Sequence, residues 1–293
     1  MKAYLRHTAF LLLLLLLLLL AADVVYTEVY KRTPAATKMQ YALKTPNITT
    51  DYLFLGSSRV VNHIVPEEIE AISGKSVLNF GVPGSLPADN LLLLELMLQN
   101  GLRCETIFMQ VDHVFNEHGA SELFLGEAMP FVRQPLVETY FRQHAADFKA
   151  LYYVPFYRYM KSEYAIGVRG LVQQVRARPE QVLQLGGFMA REGAVSFRKS
   201  ELPGHIDAQN PALLRMQALC RRRGIELVFY TAPLCTMVRQ HGYVEKLEKK
   251  LPGLLNFASR YPDSSFGDCR HLHEEGARVF SRDLIREYLG RKQ

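Results

Sequence analysis

Three residues, one near the start of the chain and two close together near its other end, have the chemical types of a nucleophile, a general base and a carboxylate that orients the base. Ser58 follows Gly56 and an apolar run, whereas Asp268 and His271 lie near the other end of the chain. A serine hydroxyl is a weak nucleophile until a neighbouring imidazole takes its proton, and a carboxylate fixes the orientation of that imidazole. The Asp-x-x-His spacing places acid and base on one loop. This combination predicts acyl-transfer chemistry.

Acyl transfer also needs hydrogen-bond donors for the oxyanion that forms on the acyl carbonyl. The backbone N–H of Gly84 is a candidate, because it lies at the edge of a second predicted strand. Serine is also a preferred helix N-cap, so the pair Ser57 and Ser58 has a purely structural interpretation as well.

Two other kinds of site were considered. A metal site is one alternative, since three suitable ligands suffice for a catalytic zinc ion. Its candidate ligands are Asp112, His113, His118, His271 and His273. Their spacing matches no standard signature, so we expect neither a metal nor another cofactor. Gly74-Lys-Ser76 has the ending of a phosphate-binding loop, but Ile69 occupies the position of the required glycine.

The elements that must position these residues follow an α/β rhythm. Short apolar runs alternate with helical segments, which predicts a parallel sheet covered by helices in a three-layer α/β/α, flavodoxin-like arrangement. The predicted strands are 51–55, 76–80, 106–111 and 225–231, and the predicted helices are 65–73, 87–99, 210–223 and 277–289. Ligands bind at the carboxyl ends of such strands, where Ser58 lies.

Residues 113–205 interrupt this rhythm with several prolines and aromatic clusters, and we interpret them as a cap inserted into the domain 51–293. Helical character is expected over 171–185. The aromatic run 152–159 has three interpretations, namely sugar stacking, contact with a membrane interface, or ordinary packing within the cap.

The N-terminus predicts export. Lys2 and Arg6 precede an apolar stretch from Ala9 to Ala22, which indicates a signal anchor over residues 1–26 or, alternatively, a cleaved signal peptide. Residues 27–50 are polar and are expected to form a stalk. The four cysteines form no CxxC pair, so neither a zinc ribbon nor a thioredoxin-like motif is expected. The net charge is +6 and no recognised nucleic-acid motif is present, so no nucleic-acid partner is expected.

Three blocks of sequence resemble the SGNH (GDSL-like) hydrolase superfamily, and in particular its membrane-anchored bacterial cell-envelope branch. The blocks are Gly56-Ser-Ser-Arg59, Asn79-Phe-Gly-Val-Pro-Gly84 and Asp268-Cys-Arg-His271-Leu-His-Glu-Glu-Gly276. The resemblance covers about residues 51–112 and 206–289. It implies that Ser58 is the nucleophile, His271 the base and Asp268 the acid, with the backbone N–H groups of Ser58 and Gly84 in the oxyanion hole.

The chain departs from the family pattern at two positions. Ser57 stands where the commoner motif has aspartate, and Asp112 stands where the third block has an oxyanion-binding asparagine. A carboxylate there would repel an oxyanion, and Asn116 is a candidate substitute. Cys235 and Cys269 follow the ends of neighbouring strands and are candidates for a disulfide near the site.

Two functions therefore remain open from the sequence. The first is a serine-dependent acyl esterase or O-acyltransferase that acts on an envelope polysaccharide or another acylated glycan, with a membrane-bound acyl-transfer partner in the case of transfer. The second is a non-catalytic binding or scaffold protein of an envelope polymer export or modification complex. In both cases we expect a single-pass protein of the bacterial cytoplasmic membrane with its domain on the extracytoplasmic side.

Overall fold

Five parallel strands form a sheet in the computed structural model, which describes residues 1–191 and 199–292 of the chain. The strands are β1 (Tyr52–Leu55), β2 (Val77–Asn79), β3 (Thr106–Gln110), β4 (Glu226–Thr231) and β5 (Leu255–Asn256). They are arranged in the order β2-β1-β3-β4-β5. This order is that of flavodoxin-like sheets, in which ligands bind in the crevice outside the carboxyl ends of the strands. The predicted α/β class and parallel sheet are confirmed.

The central strands are buried along their whole length. Every residue of β1 and β3 is buried, and the rings of Phe54 and Phe108 stack with centroids 4.5 Å apart. The register pairs Leu55 with Met109, so β1 and β3 have carboxyl ends at the same edge of the sheet. Continuous apolar strands of this kind are typical of parallel sheets covered on both faces.

Helices and short 3₁₀ turns make up most of the other regular structure of the two parts of the chain. The helices are α1 (Lys2–Arg32), α2 (Lys38–Lys44), α3 (Ser58–His63), α4 (Pro66–Ser73), α5 (Pro87–Gln99), α6 (Glu122–Ala128), α7 (Pro135–His144), α8 (Phe148–Tyr153), α9 (Tyr157–Lys161), α10 (Glu163–Ile166), α11 (Val168–Arg176), α12 (Pro179–Val182), α13 (Pro211–Arg223), α14 (Tyr243–Lys250) and α15 (Glu274–Gly290). The 3₁₀ turns are Met129–Phe131, Gln184–Gly187 and Asp263–Ser265. Helices α3, α4 and α15 pack together, and α5 packs on α13.

Local capping explains why several predicted helices have the expected bounds. Helix α4 begins at Pro66 and ends at Ser73, and the C-cap Gly74 adopts a left-handed φ of 66°. Helix α13 begins after Asn210, whose side chain accepts hydrogen bonds from two backbone N–H groups, and it ends at Gly224. Proline in the first turn, an asparagine N-cap and a glycine after the last turn are preferred at these positions.

The chain divides into two units in a way that the sequence does not predict. One unit contains Met1–Tyr41 and Glu122–Gln181, and the other contains Ala42–Ser121 and Val182–Gln293. The expected stalk 27–50 is thus partly helical, because α1 continues to Arg32. The expected insertion 113–205 is shared between both units. The expected helix over 171–185 is interrupted, since Pro179 disfavours helical backbone at the residue before it.

Helix α1 is long and apolar enough to cross a membrane by length and composition. Its apolar stretch is exposed, as expected for lipid-facing side chains. Beyond that stretch, Asp23, Thr27 and Tyr30 are buried within the first unit.

Candidate active site

The two serines after β1 have different structural roles. Ser57 is the N-cap of α3, and its Oγ accepts a hydrogen bond from the backbone N–H of Arg59 at 3.3 Å. Ser58 is the first residue of α3. The turn requires Gly56, whose φ is 149°, because an added Cβ would lie 2.6 Å from a methyl group of Val60. Since Ser57 caps the helix, the hydroxyl of Ser58 remains available for another partner.

That partner is His271, which is separated from Ser58 by 213 positions in the sequence. Ser58 Oγ lies 2.9 Å from His271 Nε2. His271 Nδ1 lies 3.0 Å and 3.1 Å from the two carboxylate oxygens of Asp268. Asp268 Oδ1 also accepts the backbone N–H groups of Arg270 and His271. With the ring proton on Nδ1, Nε2 is an acceptor for the serine proton, so the three side chains form one hydrogen-bonded relay.

The loop that carries the acid and base is fixed by covalent and backbone bonds. Phe266–Asp268 and His271–Leu272 form a short antiparallel pair, so Asp268 and His271 lie directly across from each other. Between them, Cys269 forms a disulfide with Cys235, which lies in the segment that follows β4. The disulfide thus connects the acid–base loop to the same sheet that carries Ser58.

His63 joins helix α3, which carries Ser58, to the loop that carries Asp268 and His271. It is the last residue of α3, it is fully buried, and its Nε2 accepts the backbone N–H of Leu272 at 3.1 Å. Its ring lies edge to face with that of His271, with centroids 6.1 Å apart. Burial and the nearby Arg59 hold the pKa of His63 well below its ordinary value, so it is neutral and serves as an acceptor. His63 was not predicted from the sequence as part of the site.

The electrostatics of the relay favour an ionised acid and a neutral base. Partial burial acts to raise the pKa of Asp268, but the Arg270 backbone N–H, His271 and Arg191 together hold it below the ordinary value. Arg191 Nη2 lies 2.8 Å from Asp268 Oδ2. Burial lowers the pKa of His271 despite the neighbouring carboxylate. A neutral imidazole at neutral pH is the form that can accept the proton of Ser58.

Asp112 has a different environment from the one that the sequence suggested. Its carboxylate is completely buried and forms an ion pair with Arg59, the residue after the candidate nucleophile. It also accepts hydrogen bonds from Gln110 Nε2 at 2.7 Å and from the backbone N–H of His113 at 2.8 Å. Although burial acts to raise the pKa of Asp112, Arg59 and the other donors hold it far below its ordinary value. The expected repulsion of an oxyanion is therefore offset by a directly paired cation.

Gln110 and Asn79 position the nucleophile turn and were not singled out from the sequence. Gln110 Oε1 accepts both the backbone N–H and the hydroxyl of Ser57, at 3.0 Å and 2.8 Å. Asn79 Nδ2 donates to the carbonyls of Val60 and Ile64 at the end of α3. Both amides are fully buried at strand ends. The signal in the sequence is an amide residue that directly follows an apolar run, because a polar side chain buried there needs hydrogen-bond partners.

The candidate oxyanion donors differ in how they are held. The N–H of Ser58 lies in the first turn of α3, where backbone donors have no intrahelical acceptor. The loop containing Gly84 is attached to the end of β1, because the Gly56 carbonyl accepts Val82 N–H at 2.9 Å and Ser85 Oγ–H at 2.8 Å. Gly84 itself has a φ of 71°.

The amide of Asn116 is bound elsewhere. Its Nδ2 donates to the carbonyl of His205, and its Oδ1 accepts the backbone N–H of Asp207, each at 3.0 Å. Asn116, suggested from the sequence as a substitute oxyanion donor, is thus held by residues 205–207.

The candidate metal ligands have separate partners. His118 Nε2 lies 2.6 Å from Asp207, and His273 caps α15 by accepting the backbone N–H of Gly276. His113 is bound to Asp112, while His271 belongs to the relay. Within residues 1–191 and 199–292, no three His, Cys, Asp or Glu side chains are grouped as metal ligands.

Comparison with known proteins does not assign the chain to a family. No protein-family model matches the sequence, and no curated protein matches it significantly.

Proposed function

We propose that this chain is a serine-dependent acyl esterase or O-acyltransferase of the SGNH type that acts on an acylated cell-envelope polysaccharide. The observation that supports the proposal most strongly is the continuous relay from Ser58 Oγ through both ring nitrogens of His271 to Asp268. Its two distances, 2.9 Å and 3.0 Å, lie within hydrogen-bond reach, as nucleophilic catalysis requires.

In the first half of the proposed reaction, Ser58 Oγ attacks the acyl carbonyl while its proton passes to His271 Nε2. The negative charge that develops on the carbonyl oxygen faces the N–H groups of Ser58 and Gly84. Asp268 stabilises the imidazolium and keeps its Nδ1–H oriented. Collapse of the intermediate breaks the bond to the sugar oxygen, which takes the proton from Nε2 and leaves an acyl-serine.

In the second half, His271 removes a proton from the acceptor as the acceptor attacks the acyl-serine. The bond between the acyl carbon and Ser58 Oγ then breaks, and Oγ takes that proton back from Nε2. A water molecule gives a free acid and completes hydrolysis, whereas a sugar hydroxyl gives a new ester and completes transfer. The relay serves both outcomes equally. Access of water to the acyl-serine therefore decides between them.

The proposed location is the extracytoplasmic side of the bacterial cytoplasmic membrane. Lys2 and Arg6 precede the apolar part of α1, and positive residues favour the cytoplasmic side of a first span. The Cys235–Cys269 disulfide supports the same orientation, because disulfides persist mainly in oxidising compartments outside the cytosol. The net charge of +6 suits a location between anionic lipid and an acidic polymer.

Labelling with a fluorophosphonate tests the proposal on the full chain in detergent or lipid. We expect a covalent adduct on the wild type and none on Ser58→Ala. Ser57→Ala is the matched control, since it alters the neighbouring hydroxyl and costs about 1 kcal/mol as a lost N-cap, yet retains the nucleophile. Replacement of His271 by glutamine is expected to slow labelling by about 10²–10⁴-fold.

A non-catalytic scaffold is the second candidate, and one observation favours it. Asp112 occupies the place of the expected oxyanion asparagine, and the amide of Asn116 is bound to residues 205–207. Loss of one oxyanion donor typically lowers the rate by about 10²–10³-fold. A folded wild type that forms no Ser58-dependent adduct would support the scaffold function over the enzymatic one.

A further inference from the structure

The aromatic segment 152–156 is attached to α1 at the end of its apolar stretch. Asp23 Oδ2 accepts the backbone N–H of Phe156 at 2.8 Å, and Asp23 Oδ1 lies 2.6 Å from Arg158 Nη2. The same guanidinium donates to Thr27 Oγ1 at 2.9 Å. Because the Asp23 and Arg158 side chains are only 8% and 1% exposed, this ion pair is a buried connection rather than a surface contact.

Ring contacts make the attachment rigid. Tyr26 on α1 contacts Phe156 and Tyr159, with centroid separations of 5.0 Å and 5.1 Å. Phe156 has a φ of 63°, which is unfavourable for a residue with a side chain and persists only where surrounding contacts impose it. The segment 152–156 is therefore held at a defined height along α1.

That height corresponds to the edge of a bilayer. From Arg6 to Asp23, α1 rises about 26 Å, close to the roughly 30 Å of the hydrocarbon core. Asp23 is the first carboxylate after the polyleucine stretch, so it lies at the level of the lipid headgroups when α1 spans the membrane. The segment bound to Asp23 lies at the same level.

At this level the segment exposes apolar rather than polar side chains. Tyr153 is 67% exposed and Val154 is 47% exposed. Arg133 lies beside them, donating to the Tyr152 carbonyl at 3.4 Å, and Lys149 is exposed one helical turn earlier. An aromatic ring and a branched aliphatic side chain flanked by cations are the composition of interfacial membrane contacts.

We propose that the 152–156 segment is a second membrane contact, in which Tyr153 and Val154 insert at the boundary between headgroups and acyl chains of the bilayer that α1 crosses. A unit attached to the membrane only through α1 could tilt or rotate about that helix. Contact of the 152–156 segment with the same bilayer adds a second attachment point, which fixes the depth and tilt of the first unit. The inference rests on insertion of α1 and not on the chemistry of Ser58.

The chain contains no tryptophan, so a single introduced tryptophan reports its surroundings without background. Tyr153→Trp, Val175→Trp and Leu15→Trp are placed in the full chain and reconstituted into vesicles of phosphatidylcholine and phosphatidylglycerol with brominated acyl chains. Val175 is the matched control, because it is nearly as exposed as Tyr153 but lies farther from the membrane; its side chain is 61% exposed. Its neighbour Gln174 donates a hydrogen bond to Thr33, and Thr33 follows Asp23 by ten residues, or about 15 Å of helix.

We expect fluorescence from Tyr153→Trp to be quenched most by bromine close to the headgroups, and that from Leu15→Trp by bromine close to the bilayer centre. Val175→Trp should be unaffected. Two results would overturn the proposal. If Tyr153→Trp is quenched no more than Val175→Trp, the 152–156 segment does not contact the bilayer; if Leu15→Trp is not quenched, α1 does not span it. Val154→Trp repeats the measurement if circular dichroism shows that Tyr153→Trp is misfolded.

Discussion

The structure and the family resemblance predict opposite effects when Asp112 is replaced by asparagine. The resemblance predicts asparagine at this position as an oxyanion donor, so the substitution would be expected to improve the site. The structure predicts the opposite. Asp112 is the buried counter-ion of Arg59, and Arg59 directly follows the candidate nucleophile Ser58.

The magnitude follows from the burial of the pair. Asp112 is 0% exposed and Arg59 is 2% exposed, so neither charge is solvated once its partner is lost. Removing one partner of a buried ion pair costs roughly 3–5 kcal/mol, because the remaining charge stays uncompensated. Asparagine retains a hydrogen-bond acceptor for Arg59 but not the negative charge. We expect a loss of this size in the unit that contains the sheet, accompanied by weaker fluorophosphonate labelling.

Urea unfolding of the full chain in detergent, followed by circular dichroism, measures the loss. Asp207→Asn is the matched control, since it removes a carboxylate that is 32% exposed and paired with His118. A pair of that exposure contributes no more than about 1 kcal/mol. The double substitution Arg59→Met with Asp112→Leu should lose less stability than Asp112→Asn alone, because no buried charge remains.

Equal unfolding midpoints for Asp112→Asn and Asp207→Asn would refute this reasoning. Stronger labelling of Asp112→Asn than of the wild type would indicate that position 112 limits the oxyanion hole, as the resemblance suggested.

The remaining predictions concern the base, the disulfide and the α1 attachment. Labelling should slow as the pH falls, because a protonated His271 cannot accept the serine proton, and burial of His271 should move this loss below the pH at which an ordinary imidazole titrates. A labelling rate that already falls at or above the ordinary titration range of imidazole would contradict this prediction. Loss of the Cys235–Cys269 disulfide, which links residues 34 apart, should lower the free energy of unfolding by about 3–4 kcal/mol in a urea titration with reductant, whereas an unchanged midpoint would contradict the estimate. Asp23→Asn should cost roughly 3 kcal/mol or more by leaving Arg158 buried and unpaired, and trypsin should then cleave near residue 158 faster than in wild type.

The local elements of the sheet-containing unit could be predicted because the sequence carries local signals for them. Pro66 and Gly74 bound α4, Asn210 and Gly224 bound α13, and apolar runs mark the buried strands. The contact between Asp268 and His271 was also predictable, since the Asp-x-x-His spacing places acid and base together, whereas the contact of His271 with Ser58 was expected only from the family resemblance.

The contacts that hold the site were not predictable from local pattern. Arg59 and Asp112 are 53 positions apart, and nothing in either neighbourhood indicates that both charges are buried. The same holds for Asp23 and Arg158, which are 135 positions apart, one in the expected signal anchor and the other in the expected cap. Long-range polar pairs depend on strand order and packing, which hydrophobic periodicity does not encode.

The separation of Ser58 from His271 by 213 positions has a consequence for synthesis of the protein. A growing chain presents Ser58 long before His271 has been translated. Under the proposed function, a chain that terminates before residue 268 therefore carries the serine without its acid or base and is not activated for acyl transfer. Reactivity then requires translation to pass residue 271 and the intervening residues to fold.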